Sequence, residues 1–201
     1  MSKKYAYVLR SDSPSGVSYG GFQWPESGPV EAPDWNDRAE CGGGLHGLLW
    51  GCGNAELLRD PRDTDTRWRV VKVLAADVVD LCGKVKFPRG EVVYFGDRDG
   101  ALALLDKKGA AEKPVVFAAR TAGDWGTAAA GYGGAATAGY GGTATAGYRG
   151  TATAGERGTL LIKWWDGDRY RYRIATGYVG EDGIEPNVAY KCDTTGRLVK
   201  A

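Results

Sequence analysis

The sequence predicts a chain in three parts: an α+β N-terminal domain over residues 1–112, a short β-solenoid over 113–158, and an antiparallel β-hairpin cap over 159–201. Three observations carry that reading. An eight-residue unit repeats five times from Ala119 to Gly158, as ARTAGDWG, TAAAGYGG, AATAGYGG, TATAGYRG and TATAGERG. Before it, hydrophobic runs of strand length alternate with glycine- and proline-rich turns and one helical stretch. After it, TLLIKWW and RYRYRI flank the turn Asp166-Gly167-Asp168.

The repeat comes first, because a fixed short period announces stacked units. Within each unit the first four residues alternate, as in Thr143-Ala144-Thr145-Ala146 and Thr151-Ala152-Thr153-Ala154, so an extended segment carries threonine outside and alanine inside. Two glycines in every eight residues would cost a helix roughly 2 kcal/mol per unit, which favours strands. Glycines at the corners are expected to supply positive φ. Two units per coil give about two to three coils, roughly 12 Å of stack. Tyr132 and Tyr148 then stack on one edge and Tyr140 lies on the other.

The remaining chain is ordinary in bulk composition: 43% hydrophobic, 25% charged and formal net charge +1, so no global field favours nucleic acid or membrane. Its 32 glycines are the exception. YAYVLR, residues 5 to 10, reads as a first strand, and residues 11 to 35 as loop with one short strand. WRVVKVLA from Trp68 is a strand, DVVDLCG a short turn-like element, and VKF-PRG-EVVYF a hairpin about Pro88-Arg89-Gly90. Residues 97 to 108 read as a helix capped by Asp97 or Asp99, and KPVVFAA as the entry to the first rung.

Cys41-Gly42-Gly43-Gly44-Leu45-His46-Gly47 holds the only histidine. Three readings of it stay open. The glycine run could bring backbone amides to a phosphate, although a P-loop's lysine and hydroxyl are missing. Cys41, His46 and Cys52 could ligate a metal with Cys82 or Cys192 at no recognised spacing. The third is a tight turn whose histidine satisfies a backbone carbonyl. No metal and no cofactor is expected, and the four cysteines are expected to stay reduced.

After the repeat, period two places Arg169, Arg171 and Arg173 on one face of a strand and Tyr170, Tyr172 and Ile174 on the other. The aromatic face is expected to close the alanine-lined end of the coil. The arginine row is a candidate for an anionic surface.

GYGGTATAGYRGTATAG resembles the AGYGSTxT octapeptide of bacterial ice-nucleation proteins. That resemblance implies a β-solenoid with outward threonine-x-threonine rows, here interrupted by Ala119, Ala129 and Ala135. The N-terminal part also has a likeness to the ADP-ribosyltransferase-like fold, which implies that Arg10 and His46 hold a nicotinamide dinucleotide and Glu91 its ribose. The whole plan, an α+β head with GLHG joined to GY-rich octapeptides, looks like uncharacterised proteins of phages and prophages.

With one histidine and no nucleophile-base pair at a recognisable spacing, the function expected from sequence is a non-enzymatic protein-interaction module. It is read as a phage-encoded inhibitor of a host or defence complex, binding through Tyr132, Tyr140, Tyr148, Thr143, Thr145, Thr151, Thr153, Arg169, Arg171 and Arg173. The transferase and an ice-binding protein are the alternatives. A protein partner or a second copy is expected, with neither nucleic acid nor membrane. No run is apolar enough for a signal peptide or a span, so the expected location is the cytoplasm.

Overall fold

A computed structural model describes residues 4–201, which divide into two compact units, residues 4–111 and 112–201. The fold is mostly β, with one short α-helix and open sheets.

The first unit is a seven-stranded sheet built from β1 (Tyr5–Asp12), β2 (Gly28–Glu31), β3 (Leu45–Leu49), β4 (Arg67–Leu74), β5 (Val79–Asp80), β6 (Val85–Phe87) and β7 (Arg89–Gly96). Its order is β2-β7-β4-β1-β3-β6-β5, with every pair antiparallel. The apolar run of β4 follows from burial on both faces. Val71 and Val73 join Val8, Trp24, Phe87 and Val92 in one core. The helix α1 (Arg98–Leu105) lies on β4 and β7 and buries Ala101, Leu102 and Leu105. Asp97 caps it, accepting from the Gly100 amide at 2.7 Å, which satisfies one of the donors a helix start leaves open.

The expected hairpin at Pro88 does not form. β6 pairs with β3 and β5, whereas β7 pairs with β4 and β2. Pro88 is the only residue between the two strands, which leaves no loop in which to reverse direction. The helix is also shorter than expected, giving way to a wide turn over Asp106–Ala110.

The second unit opens with six rungs: β8 (Ala119–Ala122), β9 (Thr127–Ala130), β10 (Ala135–Ala138), β11 (Thr143–Ala146), β12 (Thr151–Ala154) and β13 (Thr159–Asp166). Odd and even octapeptides go to different sheets. β8, β10 and β12 pair in parallel, as do β9, β11 and β13, each residue matching the one sixteen positions on, as Thr137 with Thr153. Alanines 128, 130, 136, 138, 144, 146, 152 and 154 fill the space between the sheets, and Leu160 and Ile162 end it.

Both sheets finish antiparallel. β14 (Arg171–Tyr178) pairs with β13, while β15 (Tyr190–Cys192) pairs with β12 and β16 (Leu198–Lys200) with β15. Here the expected aromatic closure is reversed. Ala175 and Gly177 face inward, and Tyr172 and Ile174 are 41% and 55% exposed. Large rings cannot enter an interior scaled to alanine, so the small residues of β14 take it. Arg169 precedes the strand, its amide donating to Asp166 Oδ1 at 3.1 Å.

The glycines act differently from the expectation. Positive φ falls on the seventh position of each unit, at Trp125, Gly133, Gly141, Arg149 and Arg157. The two recurrent glycine registers are not among these positions. From Gly131 onward they are glycine because the preceding rung is too close: a β-carbon on Gly147 would lie 2.5 Å from the Gly131 carbonyl carbon, and one on Gly155 2.8 Å from that of Gly139.

Candidate functional site

The outer faces of the two parallel sheets are the most regular surface among the described residues. On one face Thr121, Thr137 and Thr153 lie in register on β8, β10 and β12. Beside them run Ala119, Ala135 and Thr151. On the other, Thr127, Thr143 and Thr159 form a second unbroken column, flanked by Ala129, Thr145 and Leu161. A complete threonine-x-threonine pair thus occurs once per face, at Thr143 and Thr145 and at Thr151 and Thr153. Sequence reading singled out those four residues and missed that Thr121, Thr137, Thr127 and Thr159 complete the columns. Their sixteen-residue spacing was the available signal.

Strand alternation fixes which way these side chains point, and the alanine contacts beneath fix how flat the faces are. Threonine is stiff at χ1, so each hydroxyl and methyl holds a defined place. Adjacent rungs of a parallel sheet lie about 4.8 Å apart, and residues two apart on a strand about 6.6 Å. The result on each face is a small array of threonine side chains at regular spacing, interrupted by Ala119 and Ala135 on one face and by Ala129 and Leu161 on the other.

Aromatic residues line the turns. Phe117, Tyr132, Tyr148 and Tyr172 form one column, with ring centroids 5.9, 5.6 and 5.5 Å apart in turn, and Trp165 continues it 5.0 Å from Tyr172. All are edge-to-face pairs, the arrangement their quadrupoles favour. Tyr140 is on the other edge, 5.3 Å from Trp125, with the Arg157 guanidinium 5.8 Å from its ring centre. Phe117, Tyr172 and Trp165 lie outside the octapeptides, which is why the periodicity did not reveal them.

The arginines of the C-terminal strand do not make one row. Arg173 is paired with Asp166 at 3.2 Å, Arg171 is exposed at the start of β14, and Arg169 belongs to the preceding turn.

In the first unit, Arg10 and His46 line a common hollow, with the Arg10 Nη1 donating to the His46 carbonyl at 3.2 Å. Glu91 lines a different one, facing Lys72 at 3.4 Å. The three residues implied by the transferase likeness therefore do not meet. Cys41, His46 and Cys52 are not gathered either: among the described residues no three histidine, cysteine or acidic side chains converge as a metal site.

The glycine run before His46 has a structural task. It wraps Lys86, which is fully buried and donates to Asn36 Oδ1 at 3.0 Å and to the Gly42 carbonyl at 3.2 Å. Gly44 donates its amide to Asp34. The His46 ring lies beside the Gly44 backbone. Its pKa is lowered by burial first, then by Lys84, Arg10 and Lys86.

The chain is similar to an ice nucleation protein of Pseudomonas syringae, 40% identical over 105 residues, 51% of this chain and 9% of the relative. One from Pseudomonas fluorescens is 35% identical over 107 residues, 52% of this chain and 9% of that protein. The ice nucleation protein InaU of Pantoea ananas is 33% identical over 107 residues, 52% of this chain and 10% of its own length. The chain thus spans about a tenth of the length of these relatives, and the matched stretch is longer than the octapeptides alone. No family model matches the chain, and no solved structure is similar to it.

These similarities overturn two expectations. An inhibitor of a host or defence complex has no support among relatives named for ice nucleation, and a phage origin is not shown. The cytoplasmic location rested on the lack of an apolar run in the sequence, and similarity to ice nucleation proteins conflicts with it.

Proposed function

We propose that this chain is an ice-binding protein of the ice-nucleation kind. Its working part is a short β-solenoid over residues 113–158, set between an α+β domain at 1–112 and a β cap at 159–201. The threonine columns are the surface that meets ice. The observation that carries this reading is the register of Thr121, Thr137 and Thr153 on one face and Thr127, Thr143 and Thr159 on the other. Each column repeats at about 4.8 Å, near a lattice repeat of ice. Hydroxyls at that spacing hold water where a crystal would hold it, and the methyls between them leave water few competing partners.

Rigidity matters as much as spacing. The alanine interior and the rung-to-rung hydrogen bonds, such as Gly133 to Tyr148 at 2.9 Å and Gly141 to Glu156 at 2.9 Å, fix the faces before ice arrives. A prepaid ordering cost favours binding. Three rungs per face make a small template, so adsorption to ice already present is the expected activity, and nucleation is expected to be weak beside that of long arrays.

The test is adsorption of the fluorescently labelled chain to a single-crystal ice surface, with droplet freezing alongside. The wild type should be incorporated into growing ice, and either Thr137→Lys or Thr143→Lys should reduce incorporation at least fivefold without changing circular dichroism. Exclusion of the wild type to the level of an inert protein of equal size overturns the reading.

A further inference from the structure

A hollow of about 800 Å³ opens in the first unit, a size typical of sites for small organic ligands. Phe22, Trp24 and Leu57 give it an apolar wall, and Arg10, His46 and Lys84 a polar one. Three features of that polar wall are unfinished in the protein alone.

The first is His46. Its Nε2 is buried without a hydrogen-bond partner among the described residues. In the neutral tautomer that carries its proton on Nδ1, the ring presents an unused lone pair at Nε2, and a buried acceptor left unpaired is costly. A ligand hydroxyl or N–H can supply that bond.

The second is Lys84. It forms no ion pair or hydrogen bond through its ammonium among the described residues, yet it lies close enough to His46 to disfavour a charge there. Its free charge calls for an anion.

The third is the surplus of positive charge behind the wall. Arg10 is locked to Asp12 at 2.7 Å and lies over the Trp24 ring at 4.4 Å. Asp12 is also bound by the buried Arg69, so a single carboxylate serves two guanidiniums. Asp34, the one carboxylate in the wall, is engaged by the Gly44 amide.

We propose that this hollow binds a small hydroxylated organic anion, a sugar phosphate or sugar acid. Lys84 meets the anionic group, His46 Nε2 accepts from a hydroxyl, and Phe22 and Leu57 pack against the carbon skeleton. The site is independent of the threonine faces, and its failure leaves the ice reading intact.

The experiment is calorimetric titration of the full chain at pH 7.5 with glucose 6-phosphate, glucuronate, inorganic phosphate and neutral glucose. At least one sugar anion should bind at least tenfold more tightly than glucose and than inorganic phosphate. Lys84→Met should weaken that sugar anion at least tenfold with an unchanged melting curve. His46→Phe should erase the preference over inorganic phosphate, and His46→Gln, which restores a polar group, should recover part of it. No heat with either sugar anion, or affinity indifferent to Lys84→Met, overturns the proposal. Binding of phosphate alone as tightly as its sugar ester overturns it as well, marking an adventitious anion.

Discussion

Gly147 stands over Gly131 so closely that a β-carbon on it would lie 2.5 Å from the Gly131 carbonyl carbon. Because backbone lies beneath, no side chain can swing aside. Gly147→Ala should therefore cost more than about 3 kcal/mol, at or above the upper end for overpacking. Gly133→Asn is the informative contrast. Gly133 has φ +62 and would meet only the movable ring of Phe117, and Arg149 and Arg157 hold the same conformation two and three units on. It should cost no more than about 1–2 kcal/mol. Urea midpoints measure both, and equal losses would refute the assignment of these glycines to rung contact.

Tyr148 touches Tyr132 on one side and Tyr172 on the other. Tyr148→Ala should remove two edge-to-face pairs, each about 0.5–1.5 kcal/mol beyond area burial, and weaken the near-ultraviolet circular dichroism. Tyr148→Phe keeps the ring and should stay within about 0.5 kcal/mol of the wild type.

Lys86 carries its charge into a fully buried place with neutral acceptors and the Trp35 ring 5.6 Å away. Removing one acceptor strands the ammonium, so Asn36→Ala should cost about 2–3 kcal/mol. Lys86→Met discards the charge and its desolvation together and should cost less than Asn36→Ala. Chemical denaturation of the two variants decides the order.

The single histidine makes its titration legible by proton NMR. His46 is depressed below 6.5 by burial and by three neighbouring cations, so its ring signals should show a midpoint below that value. The sign for stability follows. As pH falls below 6.5 the unfolded chain takes up a proton that the folded ring resists, so folding weakens on the acid side and is unaffected above. His46→Phe should flatten that part of the stability curve.

The repeat was legible because a strand's period of two and a stack's period of sixteen both appear directly in Thr-Ala alternation. Tyr132 and Tyr148 fall on one edge for the same reason. Less legible was anything set by close approach. The glycines looked like turn residues, yet the turns place Trp125 and Arg149 in the left-handed region while the glycines sit under neighbouring backbone. The partners of β6 and β7 were hidden as well, since Val85 to Gly96 reads as two strands about a turn whichever strands they join. β3 went unseen, because Leu45–Leu49 is short and interrupted by Gly47, where a β-carbon would meet Val8 at 2.4 Å. His46 drew notice as a lone histidine, but its lowered pKa depends on burial and on Lys84 and Arg10 arriving from elsewhere in the chain.

Successive octapeptides go to alternate sheets, and this constrains how such an array can lengthen. One added unit would turn everything after it through half a revolution, moving Tyr172 and Trp165 to the edge opposite Phe117 and exchanging the faces beneath β14 and β15. Two added units restore every neighbour. Growth or shrinkage of the stack that keeps its aromatic edge is thus quantised in steps of sixteen residues.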